Sequence, residues 1–129
     1  MTRMDVLRYC YAYMFINCLA LTQAPELPAT TLADYCYYCM FYNCPALTQA
    51  PELPAETLAE ACYNGMFLGC SALTQAPELP ATTLAKSCYG GMFYNCTYIT
   101  SVTMKNAVKP YDSSTYGKLG DNITINYAD

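Results

Sequence analysis

The sequence predicts an α/β solenoid in which each 26-residue repeat supplies one short strand and one short helix, coiled right-handed. Three observations carry this reading. The block C-Y-x-x-M-F-x-x-C opens at Cys10, Cys36, Cys62 and Cys88 and closes at Cys18, Cys44, Cys70 and Cys96. After the first three blocks runs x-A-L-T-Q-A-P-E-L-P-A-x-T-L-A, starting at Leu19, Pro45 and Ser71. Within each block the apolar residues recur at helical spacing. A fixed period of this length marks stacked units, each of which buries its apolar side only against its neighbours.

The helix comes first in each repeat. At 100° per residue, Leu32, Ala33, Cys36, Tyr37, Met40, Phe41 and Cys44 fall within one half of a helical wheel, and Asp34, Tyr35, Tyr38 and Tyr42 fall outside it. Thr30 or Thr31 is placed to cap the N-terminus. The spacing therefore predicts a helix of three turns or fewer from about Thr31 to Phe41, its end slack or 3₁₀-like. Equivalent helices are expected after Thr57 and Thr83, with Asp5 as candidate cap of the first.

The strand follows the closing Cys. Leu21, Leu47 and Leu73 can open a strand that pairs in parallel with its copies. Pro25, Pro51 and Pro77 cannot donate to a ladder, which limits it to three to five residues. The pattern dissolves after Thr100, and Asn122–Tyr127 alternates like a strand. We divide the chain into a repeat solenoid of about four units, 1–103, the first incomplete, and a C-terminal cap, 104–129, that covers the last apolar face. Val6 occupies the place of Leu32, Leu58 and Leu84, and no A-P-E-L-P segment precedes it, so the chain reads as a fragment of a longer protein. Its N-terminal end has no comparable cover, which points to missing upstream repeats or to a partner that stacks there, with self-association one candidate.

Composition narrows the function. Hydrophobic residues make up 54% and charged residues 12%, so the surface draws on Tyr, Thr, Asn and Gln, which suits a binding face. The net charge is -4, and residues 1–100 hold Arg3, Arg8 and Lys86 against seven acids. This is not the basic footprint of a nucleic-acid binder. No apolar run reaches the length of a membrane span, and the N-terminus lacks the features of a signal peptide. With no His, no Gly-rich phosphate loop and no pair of carboxylates in complementary environments, no enzymatic activity and no cofactor are expected.

The segment M-F-Y-N-C-P-A-L-T at Met40–Thr48, with its echoes at Met66 and Met92, resembles the BspA-family leucine-rich repeats of bacterial surface proteins. A-P-E-L-P-A-T-T-L-A looks like a variant of the same repeat in surface proteins of gut anaerobes. The resemblance spans roughly residues 6–103. It implies a leucine-rich-repeat solenoid, not an enzyme, that serves adhesion or recognition of protein or glycan at the cell exterior. It transfers no individual functional residue, and both the length and the absence of an export signal depart from the family.

Nine Cys without a His raise the question of metal or redox chemistry, and Cys36-Tyr37-Tyr38-Cys39 is formally C-x-x-C. Zinc sites need four converging ligands, whereas eight of these Cys sit at two repeat-locked positions among Met, Phe and Leu. The preferred reading is buried thiols that let neighbouring repeats pack closely. Disulfides and metal binding are the alternatives, and no metal site is assigned. Cys39, whose equivalents are Tyr13, Gly65 and Gly91, is the candidate exposed thiol.

Stacking converts repeated surface positions into columns. Gln23, Gln49 and Gln75 form one and Glu26, Glu52 and Glu78 another, with copies about 5 Å apart. The block itself varies, with Tyr38, Tyr42 and Tyr94 at positions suited to recognition. We expect a binding or adhesion module using these residues, with a thiol-rich metal or redox protein and a structural spacer as the competing functions.

Overall fold

The computed structural model describes residues 8–129. The expected cap Asp5 and the register residue Val6 lie outside the described residues. Among the described residues, regular elements occur only in the C-terminal part: β1 (Ser101–Lys105), a 3₁₀ turn (Asn106–Val108), α1 (Ser113–Tyr116) and β2 (Thr124–Ala128).

The helices expected from about Thr31, Thr57 and Thr83 do not form. Each C-Y-x-x-M-F-x-x-C block is instead a ribbon of consecutive β-turns. Its even-numbered amides bond backwards within the repeat, as Tyr38 N–H does to the Tyr35 carbonyl (3.1 Å) and Met40 N–H to that of Tyr37 (3.1 Å). Its odd-numbered amides point along the stack to the next repeat. Tyr37 N–H donates to the Cys62 carbonyl (3.0 Å), Cys39 to Asn64 (2.9 Å) and Phe41 to Met66 (2.9 Å).

The reason is conformational. Every fourth residue is left-handed: Tyr35, Cys39 and Asn43 at φ 60°, 51° and 56°, then Ala61, Gly65 and Gly69 at 51°, 64° and 81°. An α-helix admits no such residue. Gly and Asn are the residues that take this conformation most readily, and they occupy it at Asn17, Asn43, Gly65, Gly69, Gly91 and Asn95. Apolar residues four apart are common to a helical face and to this four-residue turn period, so the spacing alone did not discriminate between them.

On the other side of each repeat, backbone bonding between copies is sparse. The expected strand from Leu21, Leu47 and Leu73 is reduced to an isolated parallel bridge, Gln23 with Gln49. The prolines beyond it remove the donors that a longer ladder needs. Thr31, Thr57 and Thr83, expected near helix caps, are bridged in parallel to one another instead.

The core consists of columns of equivalent residues. Phe15, Phe41, Phe67 and Phe93 stack with centroids 5.5, 5.6 and 5.7 Å apart. Tyr11, Tyr37, Tyr63 and Tyr89 stack at 5.8, 6.0 and 6.1 Å. Met40, Met66 and Met92 and the Cys36, Cys62 and Cys88 column are buried beside them. The Cys44, Cys70 and Cys96 thiols donate to the Phe15, Phe41 and Phe67 carbonyls at 3.0, 3.1 and 3.0 Å.

Residues after Tyr111 extend the stack without repeating its sequence. The amides of Ser87, Tyr89, Gly91 and Phe93 donate to the carbonyls of Thr115, Tyr116, Lys118 and Leu119. Tyr111 lies against Tyr89 with centroids 6.2 Å apart, which lengthens the tyrosine column by one ring. The alternating segment at the C-terminus becomes β2, paired in parallel with β1 from Ser101–Thr124 to Lys105–Ala128. A bridge between Leu79 and Met104 ties β1 to the preceding repeat.

Candidate functional site

The A-P-E-L-P segments create a concave surface. Along Glu26-Leu27-Pro28-Ala29 the side chains alternate outward and inward: Glu26 and Pro28 are exposed, Leu27 and Ala29 buried. This is the two-residue alternation of extended backbone, and it recurs at Glu52–Ala55. Burial of Leu27, Leu53 and Leu79 fixes the segment, and the acid before each Leu is thereby turned to solvent.

Between successive segments lie adjoining hollows. One of about 560 Å³ runs between Gln23–Pro28 and the Gln49–Pro54 segment. The next, about 580 Å³, lies between Thr48–Pro54 and the following copy, which includes Gln75 and Glu78. A third, about 230 Å³, lies between Thr74–Glu78 and Tyr98–Thr103. Gln49 and Glu52 border the first two, and Gln75 and Glu78 border the second and third. The result is a groove along the stack, lined by Pro, Ala, Gln and Glu, in which one Gln and one Glu recur at each step. No Lys or Arg lines these three hollows, so their field is negative.

The structure thus brings the Gln23, Gln49, Gln75 and Glu26, Glu52, Glu78 columns together in one groove, all exposed. Tyr38, Tyr42 and Tyr94 are half-buried on the turn ribbons and line none of its hollows. Tyr38 meets Tyr13 edge-on (5.5 Å) and Tyr35 at 69° (5.4 Å), and burial pushes its hydroxyl up to about 12. A residue that sequence reasoning missed is Tyr98, 64% exposed, at the end of the groove. The available signal was T-Y-I-T at Thr97–Thr100, where earlier repeats read x-A-L-T.

Cys39 is not the exposed thiol. It is buried, because its left-handed backbone turns the side chain onto the next repeat at Gly65. A Cβ built on Gly65 would lie 2.8 Å from the Cys39 sulfur. The space exists because position 65 has no side chain. All nine cysteines are free thiols; Cys10 is exposed, Cys18 half-buried and the rest buried. Among the described residues no three Cys, Asp or Glu side chains converge as metal ligands. Burial pushes the thiols of Cys36 and Cys70 up to about 12 and those of Cys88 and Cys96 up to about 11. Cys39 is raised for the same reason.

Thiolate is the reactive form, so native protein at pH 8 should be alkylated at Cys10 first and Cys18 next. The remaining thiols should react only after denaturation. Peptide mapping after timed labelling checks this, and labelling of Cys39 at the rate of Cys10 would contradict its burial.

Neither a protein-family model, nor a curated protein, nor a solved structure matches this chain. Among the described residues no helix is long and apolar enough to cross a membrane.

Proposed function

We propose that this chain is a short solenoid serving as a non-enzymatic binding or adhesion module, part of a surface-exposed bacterial repeat protein. It recognises protein or glycan through the groove of Gln and Glu columns. The observation that carries the reading is recurrence: Gln49 and Glu52 face two hollows at once, and Gln75 and Glu78 do the same one step along. A ligand with its own repeat, such as an extended peptide or a linear glycan, meets the same amide and carboxylate at each step. The acids favour hydroxyl-rich or cationic ligands over anionic ones, and the resemblance to surface repeats points to the cell exterior.

The test is a screen of the full chain against immobilised glycans and against basic and acidic peptides, repeated with Glu52→Lys. That residue is exposed at the shared wall of two hollows, so the substitution should leave the urea midpoint within error. Ligands bound by the parent should lose about tenfold or more in affinity, which corresponds to about 1.4 kcal/mol. Binding that ignores Glu52→Lys, or a screen with no ligand at all, would defeat the proposal.

A further inference from the structure

The groove changes character along its length. The first two hollows are bordered on both sides by a Gln and a Glu: Gln23 and Glu26 against Gln49 and Glu52, then these against Gln75 and Glu78. In the third, Gln75 and Glu78 face Thr100, Ser101 and Thr103 together with Tyr98. Tyr98 is the one aromatic residue lining any of the three. It is 64% exposed and takes the place of Ala20, Ala46 and Ala72.

Given that the groove binds a ligand, we infer that its occupant is an uncharged linear polysaccharide of pyranose rings joined through equatorial oxygens. One ring lies in each hollow, and the ring in the third lies against Tyr98. The step of the groove favours this ligand over a peptide. Gln23 and Gln49 are bridged in parallel, so one step is about 4.8 Å, the spacing of paired strands. An extended peptide returns a side chain to the same face only every 6.6 Å or so, and drifts out of register with the Gln and Glu columns. A polyproline helix returns after three residues, about 9 Å, and meets every second pair. A pyranose linked across its ring advances by about one step and meets every pair. The segments also cross the groove, so a peptide lying along the stack has no strand edge beside it to pair with.

Polarity makes the same choice. A Gln amide donates and accepts while a carboxylate accepts, so each pair can satisfy a ring diol, with the amide serving either orientation of the ring. No Lys or Arg lines the three hollows, which leaves nothing to balance a uronate or a sulfate. Tyr98 supplies the apolar contact. The C–H face of a pyranose carries the partial positive charge that the negative face of an aromatic ring attracts.

The probes are β-1,4-linked oligomers of glucose, mannose and xylose, of one ring upwards, titrated calorimetrically into the full chain. Beside them run the C6-oxidised uronate counterparts of the glucose series and an oligolysine peptide. At least one neutral series should bind, with affinity rising up to three rings, one per hollow, and levelling off beyond. The uronates should not bind. Tyr98→Ala should weaken binding by about tenfold and Tyr98→Phe should retain it. Both variants should keep the parent urea midpoint, since the side chain is exposed. Affinity that does not grow from one ring to three, equal binding of the uronates, or indifference to Tyr98→Ala would overturn the inference. Oligolysine binding that Glu52→Lys abolishes, with no neutral oligomer bound, would also overturn it and leave the groove reading standing. A groove that takes none of the probes and no ligand of the wider screen would end both.

Discussion

Phe67→Ala is expected to lower the stability of the folded chain by about 3–5 kcal/mol, the cost of removing a fully buried aromatic side chain. Phe67 has no exposed surface. It lies between Phe41 and Phe93, with centroids 5.6 and 5.7 Å away and ring planes within 5° and 6°. The substitution removes a ring with neighbours on both faces, so two stacking contacts go with it. The hydrogen-bonded ribbons hold the repeats at fixed spacing, so the column cannot close the gap without breaking those bonds. Phe15→Ala is the internal comparison. Phe15 is half-buried and stacks on Phe41 alone, so its loss should cost less than half as much. Urea melts followed by circular dichroism measure both. Equal midpoints for the two variants would mean that the column does not carry the load assigned to it.

The second large effect is expected from Gly117→Ala. Gly117 sits at φ 97° and ψ 147°, close to a region that essentially only glycine occupies, where strain alone costs about 1–3 kcal/mol. The added Cβ would also lie 2.2 Å from Gly90 Cα and 2.5 Å from Gly90 N. Both are backbone atoms of the last repeat, so no side-chain rotation relieves the clash. The terminal segment must lift, and the amides of Ser87, Tyr89, Gly91 and Phe93 lose the carbonyls they donate to. Hydrogen exchange should show these four amides deprotected before any change in the earlier repeats. Gly91→Ala separates conformational cost from collision. Its φ is 65°, but the nearest atoms to a Cβ there are side-chain atoms in ordinary contact, the Tyr94 ring at 3.5 and 3.9 Å and Leu68 at 3.9 Å. Its penalty should be only the left-handed one, about 1–2 kcal/mol. A Gly117→Ala protein with parent-like exchange would refute the close backbone approach as a structural requirement.

Much of the inward face was legible in the sequence. Cys36, Tyr37, Met40, Phe41 and Cys44 were placed on one side from their spacing, and all are buried. The Gln and Glu columns were likewise readable, because repeats bonded in a fixed register bring identical positions side by side. The groove was not, since a column of exposed residues says nothing about whether the surface between columns is hollow. Tyr98 was missed because it stands at a position that is Ala in the earlier repeats, where only the departure from pattern marked it.

The backbone conformation of the block is where sequence and structure part. Apolar residues four apart satisfy a helix and a turn ribbon equally, and Tyr35, Cys39, Ala61 and Ser87 carry no intrinsic preference for positive φ. The glycines and asparagines at every fourth position were visible, yet a single repeat gives them no reason to be left-handed. That reason is tertiary: turning every fourth residue frees alternate amides to bond to the next repeat, an exchange that exists only once the repeats are stacked. The burial of Cys39 has the same origin, since the space it fills belongs to Gly65 of its neighbour. The sequence by itself determined the period, the inward residues and the composition of each column. Only the stacked structure decided how the backbone turns and which thiol is hidden.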